Sequence, residues 1–354
     1  MKILLISPTQ SGIGGIAQHV QGLTKFLQNE GHEVEIISSE NTFTIPIKGL
    51  KNPSFMISSS IKSKFKKDFD IIHAHNIPSA LAMKNSTGKK ILSLHGVFSQ
   101  QIDQLHGKAI GNMSKKYEQN ALKWADTITV VSKEAFDYYD TLRFKVFQVP
   151  NAIDIESLPS NEDRRYPKQI IFAGRLSSEK GIDSLIEIGK KLPADTQLII
   201  LGTGPEEQKI KELTIHQRNI HYLGYQNKEN TISLIRGSDI LIQPSLKEGL
   251  SSTILESMAC GTVVIASNVG GNSELIENNV NGITIEPKNI DLFLQQITNL
   301  FNNDVLHQSL VEHAFKTVQK YDWNKVGHLY LNIYDSVLSL QNNNNQSHKT
   351  QKVS

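Results

Sequence analysis

Two short apolar runs, Lys2–Ser7 and Gln169–Ala173, each deliver the chain into a glycine-bearing loop and then a helix. This repeated unit constrains the fold more than any other feature. Apolar runs of this length without polar alternation must be covered on both faces, as parallel strands sandwiched between helices are. After the first run come Pro8 and the loop Gly12-Ile-Gly14-Gly15. Ile16, Val20, Leu23 and Leu27 then follow at helical spacing, and Gly31 closes the helix. Further strand-like runs lie at 34–37, 71–74, 91–94, 128–131 and 146–149. The polar, proline-bracketed segment 159–167 reads as a linker, and the pattern then restarts. Gln169–Ala173 leads to the loop 174–181, the helix Ile182–Lys191, and strands at 198–201, 240–243 and 263–266. The prediction is an α/β protein of two Rossmann-like domains facing a central cleft, with ligands at the carboxyl ends of both sheets. Helical periodicity returns at 323–340, and the Asn-rich segment 341–354 is predicted to be a disordered tail.

The chain has 354 residues, enough for about two domains of ~150 residues. The expected division is 1–158, 159–320, a terminal helix 321–340 and the tail. A single cysteine, Cys260, excludes an internal disulfide, and a reducing cytoplasm is the expected setting. No apolar run reaches the ~18 residues that span a bilayer. The net charge of +2 and pI near 8.4 fall short of a nucleic-acid binder. Residues 1–160 nevertheless carry 18 Lys and Arg against 14 Asp and Glu. Segment 41–67 holds Lys48, Lys51, Lys62, Lys64, Lys66 and Lys67 with no acid, interleaved with Phe43, Phe55, Met56, Ile57, Ile61 and Phe65. It reads either as a solvated helix face or as a surface for anionic lipid headgroups, which would place the protein peripherally at a membrane.

The second half concentrates chemistry at its strand ends. Arg175 and Lys180 flank the turn after Gln169–Ala173; a planar fork beside a point charge suits a diphosphate. Gly202 and Gly204 follow the next strand and offer backbone to a ligand. Glu248 and Glu256 bracket Gly249, Leu250, Ser251 and Ser252, where the chain turns into a helix. Glu256 either completes a capping box with Thr253 or accepts the hydroxyls of a ribose. Glu248 either is a turn acid or faces a sugar. Two cations, a glycine turn and two carboxylates match a diphosphate with a polyol at each end. Gly14 and Gly15 open a helix after the first strand, where backbone N–H groups and the helix dipole favour phosphate. Gly12-x-Gly14-x-x-Ala17 fits the dinucleotide fingerprint, but 8–11 separate it from the strand, so a tight turn fits equally.

Of the remaining candidates, His73, His75 and His95 end neighbouring strands of the first half, but no Cys or His-rich spacing accompanies them to argue for zinc. Asp68-Phe-Asp70 has the form of a metal-binding pair of aspartates, yet it enters a strand rather than leaving one. It reads as a surface acid.

Glu248-x7-Glu256, the Gly174-Arg175-Leu…Glu179-Lys180-Gly181 loop, Leu201-Gly-x-Gly-Pro205 and Pro150-Asn151-Ala-Ile-Asp154 together resemble family 4 glycosyltransferases of the GT-B fold. Gly31-His-Glu-Val34, His73-Ala-His75, Ala125-Asp126 and Trp323 extend the resemblance over roughly 1–335. It implies a retaining hexosyltransferase that uses a nucleotide-diphosphate sugar, a UDP-sugar being favoured over a GDP-sugar, with no cofactor and no catalytic metal. Arg175 and Lys180 would stabilise the leaving diphosphate, Glu256 the ribose, Glu248 the donor sugar, and His95 would act at the reaction centre. The base would rest near Tyr225 and Gln226, and the acceptor would be a glycan or a lipid-linked glycan, as in polysaccharide biosynthesis. The last helix would cross back to the first domain. Ser251, Ser252, Ala152, Asn272 and Ser273 depart from the family's usual residues, which leaves the sugar open. A nucleotide-dependent oxidoreductase and a silent nucleotide-sugar binder are the competing readings, and the oligomeric state is not indicated.

Overall fold

The structure, a computed structural model, describes residues 1–10, 15–47, 49–98 and 108–350. Its first strand, β1 (Lys2–Ser7), shows why the apolar runs matter: Ile3, Leu4, Leu5 and Ile6 are all fully buried. Leu4 and Ile6 join one core and Ile3 and Leu5 the other, because successive side chains leave opposite faces of a strand. With β2 (Glu33–Ser38), β3 (Ile71–His75), β4 (Lys89–Leu94), β5 (Thr127–Val130) and β6 (Val146–Gln148) it forms a parallel sheet in the order β2-β1-β3-β4-β5-β6.

The second sheet is built alike from β7 (Gln169–Ala173), β8 (Gln197–Leu201), β9 (Ile220–Gly224), β10 (Ile240–Gln243), β11 (Val263–Ser267) and β12 (Ile283–Ile285). Its order is β12-β11-β10-β7-β8-β9, again parallel throughout. Ile170, Phe172, Ile240 and Ile242 pack on one face; Ile171, Leu241 and Val264 meet Ile254, Leu255 and Met258 of the helix Ser252–Cys260 on the other. Each such side chain contributes about 1.5–3 kcal/mol by leaving water. Both sheets have the GT-B pattern expected of the sequence.

The chain divides into two compact units, Met1–Ala152 with Trp323–Ser354, and Ile153–Asp322. The strand β12 and the edge strand β9 are additions to the predicted set. The division lies six residues before the expected 158/159, because Ile153 already belongs to the second unit: its N–H donates to the Tyr321 carbonyl at 2.9 Å and it bridges Asp322. The return point lies at 322/323 for the same reason. Trp323, Val326, Tyr330, Ile333, Tyr334 and Val337 of the last helix, Trp323–Thr350, cover the Ile3 and Leu5 face of the first unit, as the family resemblance implied. This helix continues to Thr350, past the residue where the sequence predicts a tail without structure. Asn-rich sequence is a weak helix former, but it is not a helix breaker. Asp70 does enter a strand: its carboxylate accepts the Lys2 N–H at 2.7 Å, a structural role rather than metal binding.

Candidate functional site

Within the second unit the sheet order reverses between β7 and β10, which leaves a crevice where the connections leave in opposite directions. The loops that follow these two strands carry Lys180 and Glu248. Glycines bring them together. A Cβ on Gly181, whose φ is +70°, would stand 1.8 Å from the Pro244 carbonyl oxygen. On Gly202, with φ +120°, it would stand 1.9 Å from the Gly174 oxygen. The loops are also stitched by backbone, since Leu246 and Lys247 donate to the Glu179 carbonyl at 2.8 and 3.2 Å. A Cβ on Gly204 would likewise stand 2.2 Å from the Leu176 oxygen, so both glycines are required by backbone packing.

The Lys180 ammonium donates to both oxygens of Glu248, at 2.6 and 2.7 Å. Ser245 Oγ adds a third bond at 2.7 Å and Gln243 Nε2 a fourth. The Glu248 side chain is 6% exposed against 27% for Lys180, so a buried carboxylate is paired with a partly exposed lysine. Ser251 Oγ exchanges hydrogen bonds with Gln243, which fixes the amide that supports Glu248. Of Glu248's three partners only Lys180 stood out in the sequence, because Gln243 and Ser245 carry no motif.

Glu256 corrects one expectation. The cap of the helix Ser252–Cys260 is Ser251, whose Oγ faces the Ile254 N–H; Thr253 is not the cap. Glu256 lies in the second turn, too far along to close a capping box. Its carboxylate, 8% exposed, accepts from Lys228 Nζ at 2.7 Å. Lys228, at the start of another helix, Lys228–Arg236, was invisible to motif reading. Arg175 is exposed and makes no ion pair among the described residues. Gly249 and Tyr225 are exposed, Leu250 is buried, and Ser252 opens the helix. Gln226 donates to the Leu223 carbonyl at 2.8 Å, leaving its face with backbone of the β9 end. The predicted donor residues of this half thus line one edge of one sheet.

In the first unit, Gly14 of the predicted phosphate loop lies outside the described residues, and Gly15 opens the helix Gly15–Asn29 with an exposed backbone. His75 ends β3, beside the reversal of sheet order between β1 and β3, and His95 follows the neighbouring strand β4. The structure adds His19, which the sequence did not single out. Its ring lies edge-on to His95, His75, Trp323 and Tyr330. His73 is excluded from any site: Tyr334 Oη and Ser93 Oγ occupy both ring nitrogens, at 2.8 and 2.6 Å. Burial drives the His73 imidazole down to about 3 and that of His95 to about 4, with Asn151 opposing the second shift. His19 and His75 are lowered for the same reason. All four rings are neutral at pH 7. One nitrogen each from His19, His75 and His95 lie within 4.8 Å of one another. A tetrahedral zinc would need nitrogens about 3.3 Å apart, and the Tyr330 hydroxyl already meets His19 Nε2 at 3.1 Å.

Comparison with known proteins identifies the family and the fold. Residues 154–317 match the profile of Glycosyl transferases group 1, and residues 13–157 that of Glycosyltransferase Family 4. The chain is 24% identical to phosphatidyl-myo-inositol mannosyltransferase of Mycobacterium leprae, over 95% of this chain and 97% of that protein. Sucrose-phosphate synthase from Thermosynechococcus elongatus superposes with a TM-score of 0.80 at 17% identity, covering 96% of this chain and 99% of its own. HepE from Anabaena, solved with UDP-glucose, gives 0.71 at 17% identity, covering 95% and 100%.

Proposed function

We propose that this chain, which belongs to the group 1 and family 4 glycosyltransferases, moves a hexose or N-acetylhexosamine from a UDP-sugar to a hydroxyl of a glycan or lipid-linked acceptor, with retention of configuration. The observation that carries this reading is the Lys180–Glu248 pair at the reversal of the second sheet, with the Glu256–Lys228 pair on the adjoining helix. Both carboxylates are buried and both are neutralised by lysines that keep solvent access. Each pair is therefore ready to exchange its internal partner for a ligand. An incoming diphosphate draws Lys180 and the exposed Arg175 to its oxygens. Glu248 is then free to accept hydrogen bonds from the sugar, while the ribose hydroxyls compete with Lys228 for Glu256.

In the reaction, the bond from the sugar's anomeric carbon to the diphosphate oxygen breaks, and a bond from that carbon to the acceptor oxygen forms. The acceptor's proton passes to an oxygen of the departing diphosphate. Arg175 and Lys180 stabilise the negative charge that develops there, the work a divalent metal performs elsewhere; such aimed charges account for about 10²–10³ in rate per group. His95, neutral at pH 7, is assigned to the sugar being transferred. The UDP preference is supported by the HepE complex, and the acceptor class by a relative whose name carries a phospholipid.

Thermal-shift screening with UDP, GDP, ADP and NAD tests the reading at its base. Stabilisation by UDP or GDP is expected. Stabilisation by NAD alone would transfer the protein to the oxidoreductases, and binding of a nucleotide-sugar without turnover to the silent binders. Product NMR then reads the anomeric configuration, and undiminished turnover in EDTA is the expected result for the metal.

A further inference from the structure

The described residues of segment 41–67 form a surface to which the proposed transfer chemistry assigns no role. Six of the thirteen exposed large apolar side chains among the described residues fall between 43 and 65, so they are not scattered singly. The helix Lys51–Ser63 turns Phe55, Ser59, Ser60 and Ser63 inward. Outward, at steps of four, stand Ile57 at 62%, Ile61 at 56% and, in the following turn, Phe65 at 82% exposure. Leu50 precedes the helix on the same side by helical spacing. Phe43 and Ile47 project from the preceding segment, which is pinned along the helix rather than left loose. Ser58 Oγ donates to the Phe43 carbonyl at 2.6 Å, the Ile45 N–H to Ser54 Oγ at 2.9 Å, and Lys62 Nζ to Asn41 Oδ1 at 2.9 Å.

Exposed positive charge lies in the same segment. Lys51, Lys64 and Lys67 are exposed, while Lys62 and Lys66 are held by Asn41 and by Glu35. Between 41 and 67 there is no carboxylate; Glu40 and Asp68 only flank it. We propose that this pinned basic and apolar face docks the protein on the surface of a bilayer containing anionic phospholipid. The apolar side chains enter the headgroup region and the lysines meet lipid phosphates. A second copy of the chain fits poorly, because a self-complementary contact would set lysines against lysines. A nucleic acid would use stacking rings, and most of these side chains are aliphatic.

The test uses the full chain, without donor or acceptor, so that its outcome is independent of the transfer reaction. Co-sedimentation with vesicles of phosphatidylglycerol and phosphatidylcholine is expected to be strong, weakened by added salt, and poor with phosphatidylcholine alone. The triple variant Ile57→Ser, Ile61→Ser, Phe65→Ser should lose binding while keeping the wild-type melting temperature and nucleotide binding. Each of Lys51→Ala, Lys64→Ala and Lys67→Ala should weaken binding on the order of fivefold. The proposal is overturned if the wild type ignores both vesicle types or if the triple variant binds as well as the wild type. It is equally overturned if sedimentation velocity shows a dimer that the triple variant abolishes.

Discussion

At the scale of single residues, the site is two buried carboxylates whose neutralising lysines come from distant sequence. Removing one partner of such a pair strands a charge. Lys180→Ala leaves Glu248 with only Ser245 and Gln243, and is expected to cost about 1–3 kcal/mol in a denaturant melt. If the lysine serves the leaving diphosphate, turnover also falls by about 10²-fold or more. A variant with near-normal rates would remove Lys180 from the mechanism. Lys228→Ala separates structure from ligand binding differently. It removes a competitor for Glu256 and leaves a buried acceptor for ribose, so stability should drop while nucleotide affinity holds or rises. Glu256→Ala should lower both affinity and turnover. Equal nucleotide dissociation constants for Lys228→Ala and Glu256→Ala would refute this division. Glu248 and Glu256 were legible as a spaced pair of acids. Lys228, Gln243, Ser245 and His19 were not, because a hydrogen-bond partner brought in by a fold has no signature in its own neighbourhood.

At the scale of elements, the contact between the helices Gly15–Asn29 and Trp323–Thr350 depends on two glycines. A Cβ on Gly22 would lie 2.1 Å from the Trp323 indole nitrogen, and one on Gly327 2.4 Å from the Phe26 ring. Replacing a helical glycine by alanine ordinarily stabilises by about 1 kcal/mol. Here the added methyl must displace a buried ring, and overpacking costs about 1–3 kcal/mol. Gly22→Ala and Gly327→Ala are therefore expected to lower the melting temperature, and an increase would show that these helices yield. Elements were the most legible level: β7, β10 and the helix Ile182–Lys191 stand where the apolar runs and caps put them. The missing strands, β9 and β12, are the edges of their sheet, with one neighbour each and sequences half polar or only three residues long. The helix after Glu248 was legible but its cap was not. Ser251, Ser252 and Thr253 are all competent caps, and only the direction of the incoming loop chooses among them.

At the scale of the molecule, the four histidines His19, His73, His75 and His95 belong to the first unit, as do both tryptophans, Trp124 and Trp323. The fold holds these imidazoles neutral, while the unfolded chain takes up protons near pH 6.5. Stability is therefore fully present above 6.5 and is lost as pH falls toward about 4 for His95 and about 3 for His73. Each group contributes up to about 1.4 kcal/mol per pH unit within its window. Tryptophan fluorescence, which reports only the first unit, should give a melting temperature that drops steeply between pH 6.5 and 5. A His73→Asn variant should show a shallower slope. A flat profile would mean that the rings accept protons without cost.

The order of short apolar runs, helices and glycine loops by itself determined two parallel α/β sheets, the family, and the loops to which we assign the chemistry. These follow from periodicity and local backbone demands, which each segment states alone. Which lysine neutralises which glutamate, that His73 is locked while His19 joins His95, and that the chain crosses at 152 and 322 were decided only in the tertiary structure. Such pairings arise between residues up to 311 positions apart, as between Tyr330 and His19. They depend on burial, which raises the worth of a hydrogen bond or an ion pair only after the sheets have closed over it.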